Sequence, residues 1–290
     1  MKVYDENSNV INEIQNGKGL IKEFNEYLSL EFEGEYLNGE RNGKGKEYII
    51  DELKFEGEYS KGKRNGKGKE YNANDGTLIF EGEYLNGIRN GKGKEYYRNG
   101  QLKFEGEYFY DKRIKGKLYI EGKLEFEGEF LFDRKFNGIG YNSNGNKIYE
   151  LKNGTGKVIE YYDNGMLKYV GEYLNGKKNG KVKEYTYKGV YKGVDEIIEG
   201  NILKFEGEYL NGEKSGKVKE YSDDGKLIFE GEYLNGKRNG KGKLYNNNGK
   251  LIFEGEYLNN HYWNGIKNEY SYNGELKDSY EYINGKIINK

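Results

Sequence analysis

The chain has 290 residues, 34% hydrophobic and 16% aromatic, with 45 glycines, no proline and no cysteine. Lys and Arg (48) nearly balance Asp and Glu (49), so no net field draws the molecule to nucleic acid, and the lack of cysteine excludes disulfides and thiolate metal sites. The single histidine, His261, excludes intact Ser-His-Asp and multi-histidine metal constellations.

The opening stretch, MKVYDENSNVINEIQ, has no apolar core of the signal-peptide kind, and no run approaches the roughly 20 apolar residues of a membrane-spanning helix. The expected setting is therefore cytoplasmic. A short unit opens near Ile11 with NVINEIQNGKG. A longer one opens at Phe32 with FEGEYLNG and returns as variants at Phe55, Phe80, Phe104 and Phe126. A second short unit near Ile148, NKIYELKNGTG, matches the first; further long units open at Tyr169, Phe205, Phe229 and Phe253. A half unit, DSYEYINGK, follows from Asp278. Such self-similarity marks one repeat array of about twelve units over residues 1–290.

Within one unit, Leu227, Phe229, Gly231 and Tyr233 alternate with Ile228, Glu230 and Glu232, the period of a strand with two unlike faces. Asn235-Gly236 and Asn239-Gly240 supply the positive φ angles of a hairpin connection. A second strand follows in GKGKLY, and Asn248-Gly249 turns into the next unit. No stretch has a helical period, so the expected fold is all-β, an elongated single-layer antiparallel hairpin array. At about 4.8 Å per strand it would be on the order of 100 Å long.

Stacked units put like residues in rows. Phe32, Phe55, Phe80 and Phe104 share a face with glycines such as Gly34, Gly57, Gly45 and Gly68, where a ring can lie across the bare backbone. On the other face Glu33 and Glu35 are expected opposite Lys44 and Lys46. No unit buries its own apolar face, so stability must come from neighbours.

The segment FEGEYLNGKRNGKGKLYNNNG, Phe229 to Gly249, resembles the MORN (membrane occupation and recognition nexus) repeat: an aromatic, EGE, a second aromatic, NGK, GxG and a closing glycine. The second aromatic, commonly Trp in that family, is Tyr or Phe here. Flanking KEYY and NGKL phrases also resemble antitoxin-like variants of the repeat. The resemblance implies a twisted β array that serves as a scaffold, a dimerising element or a membrane-attachment module.

GKGK sits inside strands and recurs throughout, which marks it as structure and not as a phosphate loop. Carboxylate pairs such as Glu81 and Glu83 recur likewise with lysine neighbours. No catalytic group, cofactor site or metal site stands out. The exceptions to the repeat are the candidate contact sites. An insertion at about 186–201, TYKGVYKGVDEIIEGN, brings Tyr187, Tyr191 and Ile197, flanked by Val182 and Val218 in place of the second GxG glycine. The turn at Asn259 is altered to carry His261, Tyr262 and Trp263. The C-terminal half unit carries Tyr280 and Tyr282 on a strand whose usual partner is missing, an edge suited to a homodimer.

The function expected is a non-catalytic scaffold for an unidentified protein partner. Two alternatives stay open: a module peripheral to a membrane that binds anionic phospholipid through its turn cations, and a partner-neutralising protein. Nucleic acid is not an expected partner.

Overall fold

A computed structural model, which describes residues 2–4, 10–191 and 197–289, is all-β. Its strands pair in chain order without crossovers. One sheet holds fourteen strands, from Lys2–Tyr4 to Lys147–Leu151; the other holds eleven, from Gly156–Tyr161 to Lys286–Asn289. By compactness the chain divides into Met1–Lys135 with Tyr141–Asn146, and Phe136–Gly140 with Lys147–Lys290. Each unit has its own aromatic core.

The hairpin Leu227–Leu234 and Lys237–Tyr245 shows the repeat. Its turn is Asn235 (φ 50°) and Gly236 (φ 74°), the left-handed pair of a two-residue connection. The second Asn-Gly does not form a connection, contrary to its sequence signature. Gly240 (φ 101°) lies inside the strand, where pairing jumps from Gly231↔Gly242 to Tyr233↔Arg238. This is a bulge, and the Glu232 carboxylate closes it by accepting the Lys241 backbone N–H at 3.0 Å.

The aromatic face is built as the alternation requires. Phe32, Phe55, Phe80, Phe104, Phe229 and Phe253 are all fully buried. Each ring meets at least two aromatic rings edge-on: Phe55 lies 5.8 Å from Tyr59 of its own unit and 5.2 Å from Tyr84 of the next, and Phe104 lies between Tyr108 and Phe130. Such pairs add about 0.5–1.5 kcal/mol each beyond area burial. The rings rest on paired glycines, so Gly34 and Gly45 are Cα partners beneath Phe32.

A charged ladder shares that face, and it is the feature the sequence reading missed. Arg64 stacks its guanidinium 4.0 Å from the Phe55 centroid and bridges Glu47 of the preceding unit and Glu70 of its own. Arg89 in turn binds Glu70, and Arg113 binds Glu95. Tyr59 donates its hydroxyl to Glu47 at 2.8 Å. Burial pushes the Glu47 carboxyl up, but hydrogen bonds from Arg64 and Tyr59 outweigh it and hold the group below the ordinary carboxylate range. Strict alternation from Gly45 through Lys46 to Glu47 would have revealed this ladder.

In the second unit the pattern loosens. Val182 and Val218 are buried where glycine stands elsewhere. A Cβ on Gly207 would meet Val218 Cγ1 at 2.8 Å, and the two residues are not Cα partners in their hairpin. Pairing runs from Glu206↔Lys219 directly to Glu208↔Ser215, and Gly171 and Val182 are skipped in the same way. Packing does change around the insertion, and the hairpin widens to take the branched side chain. Lysine also replaces arginine in the ladder: Lys178 binds Glu184, and Lys214 binds Glu220 at 2.7 Å.

Candidate functional site

The face opposite the rings carries the EGE and KGK residues. From Glu33 to Glu127, each step from one strand to the next sets Glu against Lys: Glu33↔Lys46, Lys46↔Glu56, Glu56↔Lys69, and onward. The row beside it, through Lys44 and Glu58, is interrupted at the hairpins that open at Phe32, Phe55 and Phe80, where the second Glu of EGE turns to the backbone: Glu58 accepts the Lys67 N–H at 2.9 Å, whereas Glu107 pairs directly with Lys115. The expected charge ladder is thus one continuous row plus a row of bulge caps. Between the rows lies a glycine-lined trough of about 1290 Å³ in the first unit; another of about 1230 Å³ in the second has Val158, Val182 and Val218 among its lining.

Tyrosines fix the row. Tyr48 donates to Glu33 at 2.6 Å, Tyr71 to Glu56 at 2.7 Å and Tyr96 to Glu81 at 2.6 Å. The Tyr48 hydroxyl is the main cause that lowers the Glu33 carboxyl. Burial, then the hydrogen bond to Glu56, pushes the Tyr71 phenol up to about 12. Carboxylates held this way are acceptors already engaged, poorly suited to shuttle protons. Among the described residues no group of three or more His, Cys, Asp or Glu is placed to hold a metal ion.

Hairpin tips form a second surface. Tyr110 (φ 49°) and Phe132 (φ 51°) occupy left-handed turn positions that hold Asn or Lys in neighbouring units. Their rings are 64% and 77% exposed, beside exposed Phe109 and Leu131. The next residue in each turn explains part of the choice: Asp111 accepts the Arg89 N–H at 2.7 Å, and Asp133 the Arg113 N–H at 2.9 Å. Sequence reasoning passed over both tips, although aromatics in place of Asn-Gly were a visible signal.

The insertion extends two strands into an arm, Lys177–Tyr191 and Ile197–Leu210. Tyr187 is 43% exposed and meets Tyr162 edge-on at 5.0 Å. Tyr191 and Ile197 are Cα partners at the end of the described arm; their side chains and residues 192–196 lie outside the described residues. The altered turn folds back onto the sheet. Tyr262 stacks on Phe253 at 4.1 Å, Trp263 lies over Gly285, and of the three only His261 is exposed. Tyr282 meets Tyr262 at 5.5 Å, and Tyr280 lies beside Lys267. Here the sequence reading needs correction: the half-unit strand is not without a partner. The short strand Lys286–Asn289 returns and pairs with Glu281–Ile283, because Asn284-Gly285 makes the same turn as in every other unit.

The family model for the MORN repeat matches residues 32–51, 55–77, 80–102, 169–181, 205–226 and 229–250. No curated protein matches the chain. Among solved structures, a crystal structure of TcdB2-TccC3-Cdc42 aligns at 10% identity over 99% of this chain and 16% of its own, with a TM-score of 0.20. One of TcdB2-TccC3-TEV aligns at 10% identity over 97% and 19%, with a TM-score of 0.17. This chain spans under a fifth of the length of either, and overlap that slight informs neither fold nor function.

Proposed function

This chain is a MORN-repeat protein, and from that premise we propose that it is a non-catalytic scaffold that seats a segment of a partner protein in the Glu/Lys trough. The observation that carries this reading is the unbroken alternation from Glu33 to Glu127 over a glycine floor. Fixed charges at strand spacing favour a partner of complementary pattern and penalise others, which is how interfaces gain specificity. Reversing Lys46, Lys69 and Lys94 to Glu tests it, with capture from the native host read by quantitative mass spectrometry. A stoichiometric partner held by the parent and lost by the folded variant is the expected result. Equal capture by both sets the trough aside.

A second reading rests on the hairpin tips. Exposed Phe109, Tyr110, Leu131 and Phe132 stand beside exposed Lys112 and Arg134, the pairing of rings and cations that suits an anionic phospholipid surface. Salt-sensitive pelleting with anionic vesicles, lost in a Tyr110→Asn, Phe132→Asn variant, is the outcome it requires.

A further inference from the structure

The acids and the cations of the first trough alternate, but they are not equally available. Along the continuous row each glutamate from Glu33 to Glu105 already accepts a tyrosine hydroxyl: Glu33 from Tyr48, Glu56 from Tyr71, Glu81 from Tyr96 and Glu105 from Tyr119, at 2.6–2.7 Å. In the row beside it Glu35, Glu58 and Glu83 cap their bulges, accepting the backbone N–H groups of Lys44, Lys67 and Lys92. The lysine side chains have no such engagement. Lys44, Lys46, Lys67, Lys69, Lys92 and Lys94 are all exposed, and among the described residues none of their ammonium groups forms an ion pair or a hydrogen bond. Lysines find partners only toward the ends of the row, Lys22 at 3.6 Å from Glu33 and Lys117 at 3.9 Å from Glu127. A cation that approaches Glu56 or Glu58 must compete with a donor already in place. An anion that approaches Lys67 or Lys69 meets charged donors and displaces nothing.

The free cations also recur at a fixed interval. One repeat advances two strands, about 9.6 Å at the usual strand spacing. Lys46, Lys69 and Lys94 mark one rim of the trough at that period, and Lys44, Lys67 and Lys92 the other. The rims lie two residues apart along each strand, about 6.7 Å. An α-helix, about 10–12 Å across with its side chains, does not settle between them. An extended strand repeats its side chains about every 6.7 Å and falls out of step with the lysines after one repeat. Polyproline II advances about 9.3 Å in each three-residue turn, so every third residue keeps pace, with a drift of about 0.3 Å per repeat. The floor suits the same conformation. Gly34, Gly45, Gly57, Gly68, Gly82 and Gly93 pair in one continuous row and spend their peptide groups on the ladder. A chain with prolines brings few N–H groups to be left unmatched there.

We propose, resting on the trough as the seat of a partner segment, that the occupant is a polyproline II stretch with an acidic residue at every third position, its carboxylates paired with Lys46, Lys69 and Lys94. Acids at that spacing meet lysines alone. A nucleic-acid strand, charged at every nucleotide, sets phosphates against Glu56 and Glu81 as well, and such like-charge contacts oppose binding. Exposed ion pairs are individually weak and screened by salt, so the affinity comes from several repeats acting together.

The test uses the full chain and synthetic peptides of equal length, read by fluorescence anisotropy at low and at physiological salt. Five Glu-Pro-Pro triplets are expected to bind about tenfold more tightly than five Lys-Pro-Pro triplets, and about tenfold more tightly than an isomer with its glutamates contiguous. Lys46→Gln, Lys69→Gln and Lys94→Gln together should weaken the first peptide about tenfold and leave the melting temperature unchanged, since these ammonium groups hold nothing in the fold. Equal binding of the acidic and basic peptides overturns the sign, and equal binding of the isomer overturns the period. Tighter binding of a single-stranded oligonucleotide of equal charge replaces the peptide by nucleic acid. Competition separates the occupant from the seat. A host protein lost on charge reversal of the trough lysines, and displaced by excess Glu-Pro-Pro peptide, supports both. If the peptide does not displace it, the trough stands as the docking site and the acidic polyproline occupant falls; capture indifferent to the reversal removes both.

Discussion

The ring of Phe80 lies over Gly93: a Cβ built on that glycine would come 2.5 Å from the ring's Cζ. Gly93→Val should therefore displace a fully buried ring and cost about 1–3 kcal/mol by overpacking. Urea melts check it. A variant as stable as the parent would mean the ring does not need the bare backbone. Val182→Gly is the converse: a glycine there would restore the repeat's own pattern, but Val182 is buried, and its loss should cost about 1–3 kcal/mol.

Phe104→Ala should cost about 3–5 kcal/mol, since the ring is fully buried between Tyr108 and Phe130. On the opposite face Glu105 accepts the Tyr119 hydroxyl at 2.6 Å, so Glu105→Ala should cost about 0.5–1.5 kcal/mol. Comparing the two midpoints in denaturant reads the difference. Equal losses would mean the faces are assigned wrongly.

Stability should fall at both ends of the pH scale. Glu47 and Glu220 have folded values below their unfolded ones, although burial opposes this, because Arg64 holds the first and Lys214 with Arg238 the second. The unfolded chain then binds more protons as pH drops, so their contribution is present above the unfolded carboxylate value and lost as pH falls through the folded one. Tyr71 and Tyr96, pushed up to about 12, shift the other way. The unfolded phenol ionises near 10 while the folded one does not, so stability declines as pH rises between these values. Melts of Glu47→Gln across pH 3–6 should show a shallower acid slope than the parent; an unchanged slope would remove Glu47 from the account.

The tip residues predict a gain. Tyr110→Asn and Phe132→Asn place at φ near 50° a residue that tolerates the left-handed region, and each should raise stability by up to about 1 kcal/mol. A thermal midpoint that falls instead would show the exposed rings to be structural.

Much of this was legible in the residues. The period of two in Leu227 to Tyr233 gave strands and faces, and repetition gave neighbour order, because a meander has only one simple way to stack identical hairpins. What escaped was set by bulges and by contacts between units. Asn239-Gly240 looks like Asn235-Gly236, yet one is a bulge and the other a turn, since only the neighbouring Glu232 decides which. Arg64 reads as a surface cation at a turn, and its place over Phe55 depends on Glu47 a unit away. Tyr262 and Trp263 read either as an anchor for a partner or as rings folded back over the C-terminal end, and only Phe253 and Gly285, each brought alongside by the fold, give them their seat.

The Arg64 bridge also sets how the sheet comes apart. A guanidinium shared by Glu47 and Glu70 ties the free energy of one repeat to that of the next, so opening one penalises its neighbour, as in a one-dimensional chain of coupled spins. Around Lys178 and Lys214 an ammonium replaces that planar fork, the ladder skips Val182 and Val218, and the arm departs between them. Coupling is weakest there. Amide hydrogen exchange should accordingly find protection highest from Phe55 to Phe104 and lowest from Tyr173 to Tyr209, with fraying that begins inside the second sheet as readily as at its ends.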